Sequence, residues 1–185
     1  MSIQLVWASY AALSCLLLVL SGPQAAAGQA PATTQAQATP VVVPSSITLG
    51  EARAIIDGAI AFARARQVRM AVVVLDTTGE AVSSDRMDGA AVSDMRFAHG
   101  KAFASLMLNQ TTENLSQFQQ TRPDRYFGIL NMYPGQVYLV RGGAPLVVNG
   151  KLVGAIGVAG LPQGMDVMAG QAGISAWEKY RASAR

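Results

Sequence analysis

The chain has 185 residues, of which 51% are hydrophobic and only 14% are charged, with a formal net charge of +3 at pH 7. This composition excludes an intrinsically disordered protein, and the length suits one folded domain with an appendage. The basic residues are scattered without interleaved aromatic residues, which disfavours nucleic-acid binding. A single cysteine excludes an internal disulfide and any multi-cysteine metal site.

The first 27 residues carry no charged side chain and contain the apolar run AALSCLLLVL at residues 11–20. A Ser-Gly-Pro breaker and three consecutive alanines follow this run. The order is typical of a secretory signal peptide, so we predict cleavage of residues 1–27 and a periplasmic or secreted mature protein. Two alternatives stay open: an uncleaved anchor, because residues 3–20 approach the length of a membrane span, and lipidation at Cys15. Contact with a membrane is expected only through this segment.

A linker is predicted next, because residues 28–46 are uncharged and rich in Ala, Gln, Thr and Pro. Such a segment cannot bury enough apolar surface to fold, so we place the folded domain at residues 47–185. The domain opens with the spacing of a capping box, in which Thr48 precedes Glu51 by three residues at the start of an amphipathic pattern.

The patterns of the domain predict an α+β fold. Tight turns at Asp76–Gly79 and Asn149–Gly150 join neighbouring strands, which favours a mainly antiparallel sheet flanked by helices. Residues 122–133 have no firm assignment. The predicted helices are 48–67, 93–109, 112–120 and 163–180, and the predicted strands are 70–75, 80–87, 137–140, 144–148 and 152–159.

Residues 86–102 concentrate the candidate chemistry, because they hold the only histidine, His99, among methionines and cations. A lone histidine excludes a two-histidine zinc site within one chain. On the second predicted helix His99 shares an apolar stripe with Met95, which fits either a core histidine or an axial ligand to heme iron, with methionine as a second ligand. If His99 binds heme iron, nearby methionines and cations would complete the site, because the cations would neutralise the heme propionates. The cofactor-binding candidates are then Arg86, Met87, Met95, Arg96, His99 and Lys101.

Lys101 lies on the opposite stripe of this helix from His99, so one pocket would hold both only with a second subunit or a bent helix. A lysine in an apolar helix needs an ionic partner or a reason to be neutral, and we predict a salt bridge to a carboxylate such as Asp88. Asp166, near the start of the last helix, is predicted to be a cap.

Three glycines recur at every third position near the end of the domain, at Gly154, Gly157 and Gly160. They lie within a predicted strand and lack the order of a dinucleotide-binding motif. Close packing of a helix or a second subunit against the sheet is favoured over a backbone that faces a ligand.

A set of short motifs occurs in one order along the domain. Together they resemble the GlcG/HbpS family, which includes the C-terminal domain of PduO-type proteins, over residues 48–177. The family's signature residues match at Arg86, Met87, Asp88, Gly89, Lys101, Gly142, Gly143 and Pro145. The motifs are VVVLDxxG at 72–79, RMDGA at 86–90, AxxKA at 98–102, GGxP at 142–145, NG at 149–150 and GAIGVxG at 154–160.

The resemblance implies a profilin-like α-β-α domain that assembles into homo-oligomers, with heme binding or heme degradation in some members. We therefore expect a secreted or periplasmic heme-binding protein involved in heme or iron handling, with heme or another small molecule as its partner. One alternative is a small-molecule enzyme or an accessory protein of a catabolic pathway, with Asp88, Lys101 and the Gly142–Gly143 backbone in its pocket. Another is a purely structural module that builds an oligomer.

Overall fold

The computed structural model of the protein describes residues 46–162 and 164–183. The predicted signal peptide and the predicted linker up to residue 45 lie outside this part of the chain, and both stay predictions. Among the residues that are described, no helix combines the length and the apolar character needed to cross a membrane.

The described residues form five helices and four strands, and the predicted α+β fold is confirmed. The strands make one antiparallel sheet, with β1 and β4 at its centre and β2 and β3 at its edges. The elements are α1 (Leu49–Ala65), β1 (Ala71–Leu75), β2 (Ala81–Arg86), α2 (Val92–Leu108), α3 (Thr112–Thr121), α4 (Pro123–Met132), β3 (Gly143–Val148), β4 (Lys151–Ala159) and α5 (Met165–Ser183).

Both faces of the sheet are covered by helices. Val72 and Val74 of β1 belong to the core beneath α1 and α5, whereas Val73 belongs to a second core beneath α2. Burial on both sides explains why β1 is an unbroken apolar run instead of an alternating one. Helix α2 packs far more extensively on β1, β4 and β3 than on β2, so the α2 side of this edge strand is largely uncovered.

The predicted capping box at the start of α1 is confirmed. The Thr48 N–H donates to Glu51 Oε2 at 2.9 Å, and the Glu51 N–H donates to Thr48 Oγ1 at 3.3 Å. Glu51 Oε1 accepts from Arg181 Nη1 at 2.5 Å and from Trp177 Nε1 at 3.3 Å, which ties α1 to α5. Burial raises the pKa of Glu51, but these hydrogen bonds and the Arg181 charge outweigh burial and hold the pKa below its usual value.

Glycines on β4 let the sheet pack closely, as predicted. A side chain on Gly157 would collide with the Ala98 carbonyl and the Ala102 N–H of helix α2. A side chain on Gly154 would collide with the carbonyl of Leu75 on β1. Gly157 therefore sets how near α2 comes to the centre of the sheet.

The predicted strand at residues 137–140 is wrong. The Tyr138 N–H donates to the Gly100 carbonyl at 3.1 Å, so this segment crosses helix α2 instead of extending the sheet. The Tyr138 ring stacks on Phe97 with centroids 4.7 Å apart, and Leu139 enters a third apolar cluster beside α3 and α4. An apolar run buried among helices has the same short pattern as a buried strand, which explains the error.

Residues 122–133, which the patterns left unassigned, contain helix α4. Pro123 is its first residue, a position where the missing N–H has no helical partner to lose. Ile129 of α4 packs with Leu115 of α3 in the third apolar cluster.

Candidate functional site

His99 lies on an exposed flank of helix α2. Met95, His99 and Phe103 follow one another at one-turn intervals, and Met95 and Phe103 pack against the core beneath α2. The His99 imidazole is exposed and lies nearly parallel to the Phe103 ring, with ring centroids 6.4 Å apart. Arg96, also exposed, is three residues before His99 on the same helix. We call Met95, Arg96, His99 and Phe103 the His99 flank.

The side chain of Arg86 leaves the sheet on the same side as helix α2. Arg86 pairs with Ala71 of β1, and the Ala71 side chain belongs to the core beneath α2. Directly paired residues of neighbouring strands point to the same face of a sheet. Arg86 Nη1 donates to the carbonyl of Ala90 at 2.7 Å, which holds the guanidinium next to the start of α2.

Met87 faces the other layer of the molecule. Its side chain packs against the core beneath α1 and α5, and it lines a groove of about 630 Å³ between α1 and β2, to which Arg86 also contributes. The structure thus brings Arg86 to the α2 side of the sheet and separates Met87 from His99.

Lys101 is buried on the flank of α2 opposite His99, as the helical spacing predicts. Its Nζ donates to Asp166 Oδ2 at 2.5 Å and to the Val158 carbonyl at 2.8 Å. The two charged side chains are only 3% and 11% exposed. The prediction of Asp88 as the partner is wrong, because Asp88 is exposed in the turn that follows β2.

Burial shifts the protonation of both members of this ion pair. It raises the pKa of Asp166, and the hydrogen bond and charge of Lys101 oppose that shift without cancelling it. It lowers the pKa of Lys101, against the opposing effect of Asp166. Both pKa shifts favour the neutral forms of the two side chains. The attraction between Lys101 and Asp166 therefore only partly offsets the cost of removing their charges from water. Perturbed pairs of this kind are found at functional sites more often than elsewhere.

Gly142 and Gly143 close over Lys101. Gly142 has a φ of 117°, and a Cβ there would lie 3.1 Å from Lys101 Nζ and 2.6 Å from the Cβ of Asp166. A side chain on Gly143 would collide with the backbone of Lys101. The structure therefore brings together Lys101 and the Gly142–Gly143 backbone of the predicted small-molecule pocket, and it leaves Asp88 outside.

Asp166 is the residue whose role sequence reasoning missed. It does not cap α5: its Oδ1 accepts from the Leu161 N–H at 3.0 Å, and its Oδ2 binds a lysine 65 residues away along the chain. A buried lysine signalled that some carboxylate had to be near, but no local pattern identified which one. Asp166 also lines a cleft of about 510 Å³, whose other walls come from α3, α4 and residues 139–141.

A protein-family model described as "Haem degrading protein HbpS-like" matches residues 47–175. The chain belongs to the HbpS-like family. This confirms the resemblance inferred from the ordered motifs, and the match spans helix α1 to the middle of helix α5.

Similar proteins are found among solved structures and among curated proteins. A double mutant of Streptomyces reticuli HbpS is 29% identical, with a TM-score of 0.63 over 83% of this chain and 97% of that chain. A structure described as a PduOC:heme complex is 25% identical, with a TM-score of 0.66 over 71% of this chain and 94% of that chain. An uncharacterized 15.0 kDa protein of Citrobacter freundii, from the dhaT-dhaS intergenic region, is 29% identical over 63% of this chain and 81% of its own length.

Proposed function

We propose that this protein binds heme and that His99 is an axial ligand to the iron. The observation that carries the proposal is the exposed imidazole on the His99 flank, in a chain that is similar to a protein solved with heme. Imidazole nitrogen is a common protein ligand of heme iron. Bound heme would supply iron-centred redox chemistry, and the protein would supply the ligand, the apolar surface and the counter-charges.

The residues around His99 fit a porphyrin. Met95 and Phe103 supply apolar surface on either side of the imidazole, one helical turn away in each direction. Arg86 and Arg96 are exposed cations on the α2 side of the sheet, where they would pair with propionates. Helix α2 covers little of β2, so an open surface lies beside the helix, and a porphyrin would have room there.

Three of the candidates predicted from sequence take other roles in this proposal. Met95 is half-buried in the core beneath α2, so it contributes apolar contact instead of a second iron ligand. Lys101 is buried in an ion pair with Asp166, and Met87 packs against the core beneath α1 and α5. Neither of these two side chains is assigned to the heme site.

A hemin titration followed by absorption spectroscopy tests the proposal. We expect a shifted Soret band that saturates with added hemin, and an affinity at least about tenfold lower for His99→Ala. Asn131→Ala, which changes an exposed polar residue of helix α4, is the matched control and should titrate like the wild type. A His99→Ala spectrum and affinity identical to those of the wild type would remove His99 from this role.

The family description favours a second candidate function, degradation of the bound heme. We expect the Soret band of the loaded protein to decay faster than that of free hemin when ascorbate and oxygen are present. A band as long-lived as that of hemin held by an unrelated heme protein would leave binding as the function.

We further propose that the protein is exported and handles heme or iron in the periplasm or outside the cell as a homo-oligomer. The charge-free apolar segment at residues 1–27 supports export, and the resemblance to the GlcG/HbpS family supports assembly. Mass spectrometry of the protein from each cell fraction tests export, and light scattering of the purified protein tests assembly. A full-length protein confined to the cytoplasm would contradict export, and a monomer in solution would contradict assembly into a homo-oligomer.

A further inference from the structure

The 510 Å³ cleft lies on the Lys101 side of helix α2, away from the His99 flank. Its walls come from helices α3 and α4, from residues 139–141 and from the loop before α5, and Asp166 forms part of its lining. This volume is within the range of small-molecule binding sites.

Asp166 is one of the residues that line this cleft, and its carboxylate is held by two hydrogen bonds. One carboxylate oxygen accepts from the Leu161 N–H at 3.0 Å and the other from Lys101 Nζ at 2.5 Å. A carboxylate offers about four acceptor positions, so these two hydrogen bonds do not exhaust the acceptor capacity of Asp166. Because Asp166 is only 8% exposed and held from two sides, its carboxylate is set in place before any ligand arrives.

Arg141 supplies a positive charge to the same cleft. Its side chain is 62% exposed, and its Nε is 3.9 Å from Glu113 Oε1, the outer limit of an ion pair. The two terminal nitrogens of the guanidinium therefore remain able to bind a carboxylate in a bidentate way. Tyr126, Leu139 and Leu161 also line the cleft and give it apolar surface.

We propose that this cleft binds a small hydroxy acid with an apolar body. The ligand's carboxylate pairs with Arg141, its hydroxyl donates to Asp166, and its apolar body contacts Tyr126 and Leu139. Lys101 is a positioning residue, because its hydrogen bond holds the Asp166 carboxylate in place. This site does not rest on the heme proposal, since the two involve opposite flanks of α2.

Calorimetric titration with mandelate tests the proposal, and phenylacetate is the matched ligand that lacks only the hydroxyl. We expect mandelate to bind at least about tenfold more tightly, because only mandelate has a hydroxyl that can donate an additional hydrogen bond to Asp166. Arg141→Ala should weaken mandelate binding about tenfold or more. Arg64→Ala, which removes an exposed arginine of α1, is the control and should bind mandelate like the wild type.

Three results would overturn the proposal: no binding of mandelate, equal affinities for the two acids, or an unchanged affinity in Arg141→Ala. Asp166→Asn keeps the acceptor for Leu161 and should bind the two acids with similar affinity. The comparison of the two acids on the wild type decides the matter even if this variant fails to fold. Hemin titration of Arg141→Ala should match the wild type, so failure of one proposal is distinguishable from failure of the other.

Discussion

Lys101 and His99 are two residues apart on helix α2, but the side chain of Lys101 is buried and that of His99 is exposed. Two residues turn a helix by about 200°, so their side chains diverge. The segment that carries Tyr138 crosses α2 at Gly100 and helps to seal the Lys101 flank, while no such segment among the described residues covers His99. The divergence could be predicted from spacing alone. The identity of Lys101's partner could not, because it depends on where α5 begins relative to the sheet.

At the residue scale, we predict that Lys101→Met destabilises the fold by about 3–5 kcal/mol, because it leaves the Asp166 carboxylate buried without a cation. Urea unfolding of the purified protein measures the change. The double variant Lys101→Met/Asp166→Asn removes both charges but keeps the acceptor for the Leu161 N–H. It should recover most of the loss, and a double variant no more stable than Lys101→Met would contradict this account.

At the scale of elements, the distance between α2 and the sheet is set by glycine. The repeat of glycines on β4 predicted close packing, and the Asn149–Gly150 pair predicted a hairpin; both are found, with φ angles of 50° and 77° at the turn. These features depend on short stretches of chain. Residues 137–140 have the pattern of a strand, but their hydrogen-bond partner, the Gly100 carbonyl, lies on a helix far from them in sequence, so a local pattern does not identify it.

Gly157→Ala is predicted to destabilise the protein by about 3 kcal/mol, the upper end of the usual overpacking cost. The new methyl group would meet the backbone of α2, which cannot move aside as a flexible side chain can. Gly128→Ala is the matched control. Gly128 lies in helix α4, and no described atom lies within 4 Å of the position that its new methyl group would take, so this change should stabilise by about 0.5–1 kcal/mol. Thermal or urea unfolding compares the two, and similar effects of both substitutions would refute the packing argument.

At the scale of the whole molecule, the sheet and its two helical layers separate the candidate chemistry into distinct regions. Arg86, the last residue of β2, points to the α2 side, and Met87, which follows it, packs on the α1 side. The turn of α2 separates His99 from Lys101. The fold class and the divergence of His99 from Lys101 follow from the patterns, and the α-β-α layering follows from the family resemblance. The patterns group Met87 with His99, and the structure separates the two residues. The cleft beside Asp166 could not be anticipated from the patterns, because it exists only where α3, α4 and the loop before α5 come together.

We therefore expect hemin and mandelate to bind independently. The hemin affinity measured at saturating mandelate should agree within about twofold with that of the free protein, since a factor of two is well below 1 kcal/mol of coupling. The Soret titration of the wild type, repeated with mandelate present, makes the measurement. Competition between the two ligands would mean that they share one site.

The pairing of β1 with β4 also has a consequence for the order of folding. Ala71 pairs with Ala159, so the two central strands come from opposite ends of the domain, whereas β1–β2 and β3–β4 are local hairpins. Closing the long intervening loop is slow relative to forming hairpins. We expect both hairpins to form early and the centre of the sheet to join last, once α2, α3 and α4 can be accommodated between them. Until then the chain has no complete core, because the two central strands of the sheet have not yet paired.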